Sequence, residues 1–525
     1  MKILTFGTCR VLNLFTDDNN TFLNSLHTLN YNSEGGKNII GLTHDINQAI
    51  FILDIIRYKK NVNNIPNFNK FSVFLSNIGD YRSNYLSTDL DFQILDSIVN
   101  IEKELCNIKY IIIEVCTLKK LIINGVPFFL DINDGNLFEK ITDDEFKNDF
   151  NKLVGLIGTI NKNINIIFVS HIIKYNKEII PDRQHILELL TECCKIYNNT
   201  YVLSPCDYID DDDLSDNKHY KKERKYKIRD AIANKILNID SQNIVNTMNH
   251  TGIFKFNLLD YFTEQDKNSY NNLYHKLLEM EDQIKRKDFN KDFVYDNKYL
   301  YSINNSIKEK YNINNSIFID FFRIVLNDII VKIAEKYLEN NVYIYNPLIA
   351  VNYNCQNDRC QSQEWHRDPG GLKLIKFFFF FDHIDKINGS FEYIPNTQYT
   401  SKNKIANLFE NKGESTYPIN YSYHNDYNKF INLVNENSII TNCNNYDCIS
   451  VDTSGFHRAG ICEVDKYRKY LHVLFLTGEN IVNSKDNGDA YHKGFNYNKD
   501  LYDIDINNID LKIEKNISKY FYNKC

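Results

Sequence analysis

Gln363-Glu364-Trp365-His366-Arg367-Asp368 is the stretch from which the fold of the second half of the chain is read. Side chains of an extended strand alternate faces, so His366 and Asp368 project to one side while Trp365 and Arg367 project to the other. One short segment therefore offers an imidazole and a carboxylate together. A second imidazole from a later strand completes two histidines and one carboxylate, the facial set that leaves coordination positions open on iron(II). His457, in Gly455-Phe456-His457-Arg458, is the candidate, 457 − 366 = 91 residues further on. Arg468, in Tyr467-Arg468-Lys469, follows at 468 − 457 = 11 residues, on what reads as the next strand. A guanidinium there suits a two-pronged grip on a carboxylate. Trp365, on the other face, is read as core, and Arg367 shares that face.

The chain around this stretch has 525 residues, too many for one core, and two to four domains are expected. Its formal charge is 61 − 68 = −7 with no long arm of one sign, so neither nucleic acid nor an anionic membrane is an expected partner. Asn, Lys, Ile and Tyr crowd every segment, as an AT-rich coding sequence would produce. The 12 cysteines are scattered, several in apolar runs, which argues against a disulfide framework and for a reducing compartment. No apolar run approaches the roughly 18 residues needed to cross a bilayer. The start, Met1 to Gly7, lacks the apolar region and cleavage site of a signal peptide. A soluble, cytoplasmic protein is the expectation.

From about residue 240 helices come first and strands after. Ile253 to Leu259 reads as a short strand, and Glu264 to Lys287 and Ile317 to Leu338 as long amphipathic helices. In the first helix Leu273, Leu277, Met280 and Ile284 share one face, with Glu281 and Lys285 on an exposed one. Strands follow at Val342 to Tyr345, Ile349 to Tyr353, Lys373 to Phe381, Gly389 to Ile394, Cys448 to Asp452 and Tyr470 to Leu476. That order predicts a double-stranded β-helix, or jelly roll, with flanking helices.

His366-x-Asp368, His457 and Arg468, in that order and spacing, resemble the phytanoyl-CoA dioxygenase-like branch of the iron(II)/2-oxoglutarate oxygenases. Asn388-Gly389-Ser390-Phe391-Glu392-Tyr393-Ile394-Pro395-Asn396 is similar to that family's turn-and-strand segment, without its final glycine and histidine. The resemblance implies that His366, Asp368 and His457 hold Fe(II). It implies that 2-oxoglutarate chelates the metal with Arg468 on its distal carboxylate, and that O2 is the oxidant, with ascorbate as an accessory reductant. Tyr353 and Lys373, on strands flanking the metal segment, are further candidates for the co-substrate. The implied reaction is hydroxylation of an unactivated C–H bond.

Residues 1 to about 240 alternate strands and helices. Lys2 to Phe6, Phe71 to Leu75, Tyr110 to Val115 and Ile164 to Ser170 are buried-type strands; Asp45 to Tyr58 and Asp182 to Tyr197 have helical spacing. A parallel sheet covered on both faces follows, an α/β three-layer arrangement of flavodoxin-like type. Sites in such sheets form at the carboxyl ends of strands, where Gly7-Thr8-Cys9-Arg10 lies. Asp216 and His219 precede a helix from about Lys221 to Leu237, spaced as a base and its orienting carboxylate. Gly7-Thr8-Cys9 with Asp216-x-x-His219 resembles the first and last blocks of SGNH/GDSL hydrolases, in the cysteine variant of capsule-polysaccharide biosynthesis proteins. The resemblance implies Cys9 as nucleophile, His219 as base and Asp216 as its partner. The third-block Asn is absent from Ile113-Glu114-Val115-Cys116, while Gly79 is available for the second block. His44 and His171 are additional cleft candidates, each equally a structural histidine.

Other signals have plainer readings. Asp210 to Asp213 reads as a solvated loop, and the basic residues from Lys221 to Arg229 as the wet side of a helix whose apolar face is Ile228, Ile232 and Ile236. Cys355, Cys360, Cys443 and Cys448 allow a four-cysteine zinc site as a minor alternative. The expected organisation is an SGNH-like domain at 1–240, an oxygenase domain at 241–480 (helices 264–338, jelly roll 342–480) and an extension at 481–525. The expected function is a two-module enzyme acting on a small molecule or a saccharide-linked substrate. A binding or scaffold protein with one or both modules inactive is the alternative. Nothing in the sequence indicates an oligomeric state.

Overall fold

A computed structural model describes residues 1–7, 9–12, 14–15, 21–25, 45–58, 105, 107–123, 126–128, 139–289, 294–295, 298–302, 315–339, 342–354, 361–368, 373–398 and 425–477. The strand expected at 71–75, Gly79, His44, Cys355, Cys360 and all of 481–525 lie outside these residues. The chain divides into two compact units, Met1–Lys235 and Ile236–Cys525.

In the first unit, runs rich in isoleucine and valine form strands β1 (Lys2–Phe6), β3 (Tyr110–Val115) and β4 (Asn165–Ser170), with β2 (Asn24–Ser25) and β5 (Thr200–Leu203) beside them. All pair in parallel, in the order β2-β1-β3-β4-β5. Leu4, Phe6, Ile111, Ile113 and Phe168 form one face and pack with residues of α2 (Ile46–Tyr58), α3 (Asp143–Ile160) and α4 (Pro181–Cys194). The opposite face, with Ile3, Thr5, Ile112 and Ile167, is buried as well. Burial on both faces explains why these strands are continuously apolar rather than alternating. The order reverses between β1 and β3, the position at which open α/β sheets form ligand crevices. The short helix α1 (Cys9–Leu12) begins at that point.

The basic segment departs from expectation. Lys222–Arg224 is a 3-10 turn, and the helix that follows, α5 (Tyr226–Thr251), starts later and runs 14 residues beyond the predicted Leu237 (251 − 237 = 14). Ile228, Ile232 and Ile236 are its buried stripe. Asp213 is a buried ion-pair partner, not part of a solvated loop: its oxygens lie 2.7 Å from Lys227 Nζ and 3.5 Å from Arg224 Nε.

In the second unit, a seven-stranded antiparallel sheet has the order β6-β13-β10-β15-β9-β8-β7. Its strands are β6 (Ile253–Asn257), β7 (Val294–Tyr295), β8 (Lys298–Ser302), β9 (Val342–Tyr353), β10 (Ile375–Phe380), β13 (Asp447–Val451) and β15 (Tyr467–Thr477). A three-stranded antiparallel sheet has the order β12-β11-β14, from β11 (Phe391–Tyr393), β12 (Ile439–Thr441) and β14 (His457–Ala459). Two sheets of alternating strands are the architecture of a jelly roll.

The larger sheet has two distinct faces, set by strand alternation. Phe377, Phe379, Leu471, Val473 and Phe475 point one way, with the rings of Phe377 and Phe475 edge to face at 5.6 Å. Helix α6 (Glu264–Arg286) packs against this side of the unit: Tyr270 stacks on Phe381 at 4.2 Å, and Tyr274 donates to Asp382 at 2.7 Å. Its start is fixed by a capping box, Thr263 Oγ1 accepting from Asp266 N–H and Asp266 accepting from Thr263 N–H, a device worth about 1 kcal/mol. Glu281 is not exposed as expected. It is buried, accepts from Lys469 and lies 2.6 Å from Lys285, because the odd-numbered face of β15 presents Lys469 to the helix.

Two further boundaries differ. The helix expected over 317–338 is broken into α7 (Asn315–Val325) and α8 (Asp328–Leu338), because the Asn327 side chain caps the second by accepting from Ile329 N–H. The strands expected at 342–345 and 349–353 are one strand, β9, with a register shift between Tyr345 and Leu348, where Pro347 has no N–H to give the ladder.

One contact locks the smaller sheet. Gly389 has φ +75°, and a Cβ on it would sit 2.6 Å from Gly460 O, while a Cβ on Gly460 would sit 2.6 Å from Ser390 O. Only glycine at both positions lets Gly460 N–H reach Ser390 O at 2.9 Å. Gly389→Ala is expected to cost about 1–3 kcal/mol through backbone strain and overpacking. Urea denaturation reads it as a lower midpoint at unchanged slope; an unchanged midpoint would show that the turn yields.

Candidate metal centre

The segment carrying His366 is a 3-10 turn, Gln361–Gln363, then a bend at Glu364 and Trp365, and not a regular strand. His366 is bridged to His457, the first residue of β14: His366 N–H donates to His457 O at 3.0 Å and His457 N–H to His366 O at 2.9 Å. Residues opposed in this way share a face, so the two imidazoles are set side by side, ring centres 4.3 Å apart. Asp368, two residues on, is fixed by its own N–H donating to Thr453 O at 2.9 Å. Asp368 Oδ1 then lies 3.8 Å from His366 Nε2 and 3.7 Å from His457 Nε2. Among the described residues, these three make the only group of three or more metal-ligating side chains whose donor atoms come together, all within 4.8 Å of one another.

Both imidazoles are oriented in the same way. His366 Nδ1 is 2.7 Å from Glu364 O and His457 Nδ1 is 2.9 Å from Gly455 O. A backbone carbonyl only accepts, so each Nδ1 carries the hydrogen and each Nε2 presents its lone pair to the common point. Burial lowers the pKa of His366, and burial with the neighbouring His366 lowers that of His457 to about 3. Burial acts to raise the Asp368 carboxyl, but Lys376 and the two histidines outweigh it and hold it well below the usual carboxylate range. Two neutral imidazoles and an ionised carboxylate are the protonation states a divalent cation requires, so the donor set fits a metal without rearrangement.

The cavity beside this group is lined by residues of the other face of the larger sheet: Lys376, Phe378 and Phe380 on β10, and Arg468, Tyr470 and His472 on β15. Lys298 and Ser362 join them, Lys298 Nζ donating to Ser362 Oγ at 2.7 Å. Arg468 is buried, donates to Gly389 O and lies 5.2 Å over the Tyr470 ring. The proposed metal ligands and Arg468 are thus brought to one cavity. Lys373 and Tyr353 are not among its lining residues. Lys373 Nζ is 2.9 Å from Glu339 and 5.0 Å over the Tyr337 ring, while Tyr353 packs 6.0 Å from Phe289. Lys298, Lys376, Tyr470 and His472 went unread in the sequence. The period of two from Arg468 marks Tyr470 and His472, and the lysine interrupting the even face of an otherwise phenylalanine strand marks Lys376.

Trp365 and Arg367 lie on the other side, as their phase predicts. Trp365 packs with Phe430 and Phe456, and Arg367, fully buried, donates to Thr397 O at 3.0 Å with its guanidinium 4.2 Å over Phe456. Cys443 and Cys448 are free, buried thiols, and Cys355 and Cys360, the other half of the four-cysteine alternative, lie outside the described residues.

In the first unit, His219 Nδ1 is 2.9 Å from Asp216 Oδ2, and Asp216 Oδ1 accepts from the N–H groups of Lys218 and His219 at 2.6 and 2.8 Å. Their loop is held from below: Arg10 Nη1 donates to Lys218 O at 2.8 Å and Arg183 Nη1 to Asn217 O at 2.5 Å. Arg10 also donates to Glu114 at 2.6 Å, so a buried ion pair stands at the strand end where the resemblance asks for an Asn. Cys9 starts α1, and its side chain lies outside the described residues. His171 is buried just past the end of β4. Among the described residues no helix is long and apolar enough to cross a membrane.

No family model matches the chain, and no curated protein sequence matches it significantly. Among solved structures it is similar to AviO1 from Streptomyces viridochromogenes Tue57, at 9% identity over 46% of this chain and 96% of that one, TM-score 0.31. It is similar to the epimerase SnoN in complex with Fe3+, alpha ketoglutarate and nogalamycin RO, at 8% identity over 46% and 84%, TM-score 0.32. It is also similar to EctD from S. alaskensis with bound Fe, at 11% identity over 45% and 76%, TM-score 0.32.

Because burial lowers the pKa of both imidazoles, protons compete less for the site than at ordinary histidines. Affinity for a divalent cation is expected to fall from pH 7.5 to 6 by less than the roughly tenfold that two ordinary histidines would lose. A cobalt(II) titration followed by absorbance checks this; a tenfold loss would show imidazoles that titrate normally.

Proposed function

We propose that the second unit is an iron(II)- and 2-oxoglutarate-dependent oxygenase that hydroxylates a C–H bond of a small molecule. The observation that carries this reading is the convergence of His366 Nε2, His457 Nε2 and Asp368 Oδ1 beside a cavity that also contains Arg468. Iron and 2-oxoglutarate, when bound, supply the oxidising power for attack on an unactivated C–H bond. The chain's own residues do the rest. His366, His457 and Asp368 would hold the ion, three protein ligands of the kind that leave coordination positions open on iron(II). Arg468, anchored on Gly389 O, offers its remaining donors to the distal carboxylate of the co-substrate. Phe378, Phe380 and Phe391 give the cavity apolar walls that exclude water from the reacting centre.

For the first unit we propose hydrolysis or acyl transfer, with Cys9 as nucleophile, His219 as base and Asp216 orienting it. The His219–Asp216 contact and the two arginines that hold its loop favour this reading, and the Arg10–Glu114 pair in place of an oxyanion Asn weighs toward a binding module instead. A saccharide or saccharide-linked compound is then the proposed common substrate, by analogy of the first unit.

Anaerobic titration with iron(II) and 2-oxoglutarate tests the oxygenase reading. His366→Ala is expected to abolish iron binding, and Arg468→Met to weaken 2-oxoglutarate about tenfold to a hundredfold, the worth of hydrogen bonds to a charged group. A wild-type chain that binds no iron would sink the proposal. For the first unit, a thiol probe is expected to label Cys9 ahead of the other cysteines and to lose that preference in His219→Ala; equal labelling counts against a nucleophile.

A further inference from the structure

Lys376 is on β10, with its side chain on the cavity face beside Phe378 and Phe380, and it is held there by pairing with Leu474 of β15 and Val451 of β13. Its Nζ lies 2.6 Å from Asp368 Oδ2, with each side chain only 14% exposed. The other oxygen, Oδ1, is the one that faces both imidazoles, at 3.8 and 3.7 Å. The two oxygens of one carboxylate are therefore divided between an ammonium group and the point where His366 and His457 converge. An ammonium has three donors and no lone pair, so it can occupy Oδ2 without becoming a ligand itself. An apolar side chain of similar length, with no donor, would leave that buried carboxylate oxygen unpaired.

We infer that Lys376 is a positioning residue that makes Asp368 a ligand through one oxygen only. This inference rests on the oxygenase reading and adds to it a count of coordination positions. Three protein atoms leave three positions on a six-coordinate ion, two for a chelating co-substrate and one for a small third ligand. Were Asp368 to bind through both oxygens, the protein would take four positions, the chelate would take the other two, and the third ligand would have none. Lys376 thus keeps one position vacant while standing outside the ligand set. Outer partners of this kind orient the ligands they touch.

Nitric oxide, a small neutral ligand of iron(II) with an electron paramagnetic resonance signal, reads that position without turnover. Full-length protein is loaded anaerobically with iron(II), saturated with 2-oxoglutarate and exposed to the gas. Wild type and Lys376→Arg are expected to give the iron–nitrosyl signal in proportion to bound iron. Lys376→Met is expected to bind iron and 2-oxoglutarate but to lose the signal, and to regain it when 2-oxoglutarate is omitted. A Lys376→Met protein with the full signal in the presence of 2-oxoglutarate overturns the positioning role. A wild-type protein that binds no iron fails at the earlier step and overturns the oxygenase reading instead. Where Lys376→Met does not fold, a crystal structure of the iron-loaded wild type decides. Asp368 bound through one oxygen, with Lys376 still on the other, agrees with the inference, and both oxygens on the ion overturn it.

Discussion

Two reciprocal backbone hydrogen bonds between His366 and His457 hold the second unit's chemistry in place. They join a short segment to β14 and, through β14, to β11 and the smaller sheet. The side chains inherit their position from the backbone: an opposed pair must share a face, and Asp368, two residues on, must share it too. The Nδ1 contacts to Glu364 O and Gly455 O then turn each ring so that Nε2 points inward. Little else is required of the local sequence, which is why so short a stretch carries so much information.

The convergence of His366, Asp368 and His457 and the place of Arg468 on the same cavity were legible because they depend on strand phase and order along the chain, both of which survive in a single sequence. The paired sheets and the buttressing helix were legible for the same reason, from the apolar stripe Leu273, Leu277, Met280 and Ile284. Much of what stayed hidden depends on partners far apart in sequence. Glu281 looked like a surface residue because its partner, Lys469, is 188 residues away. Lys373 and Tyr353 flank the His366–Asp368 segment in sequence, but their side chains lie against Glu339 and Phe289. Lys298, which lines the cavity, required the register between strands to be known, whereas Lys376 leaves a local mark as the lysine on the even face of a phenylalanine strand. Asn327 broke a helix that apolar spacing carried straight through, since a capping side chain is a local signal that periodicity does not weigh.

The first unit shows how residues of one resemblance can occupy expected places while a neighbour alters their setting. Asp216 and His219 touch as their spacing suggests, and two arginines hold their loop by its carbonyls. Yet Arg10, the residue after Cys9, spends a further donor on Glu114, a carboxylate fully buried at the end of β3. A buried carboxylate without its guanidinium would be costly, so the pair is maintained as a unit.

Arg468 and Lys469 are adjacent cations on one strand with separate destinations, the first in the cavity and the second on Glu281 and Asp382 behind the sheet. Sliding β15 by one residue would turn each to the opposite face, sending the guanidinium toward the helix side, where Glu281 is buried and Asp382 half-buried, and the ammonium toward the cavity. The hydrophobic faces of β15 alone would tolerate such an error poorly; the two charges make it prohibitive. The ion pairs behind the sheet and the guanidinium in the cavity are thereby tied to a single alignment of β15.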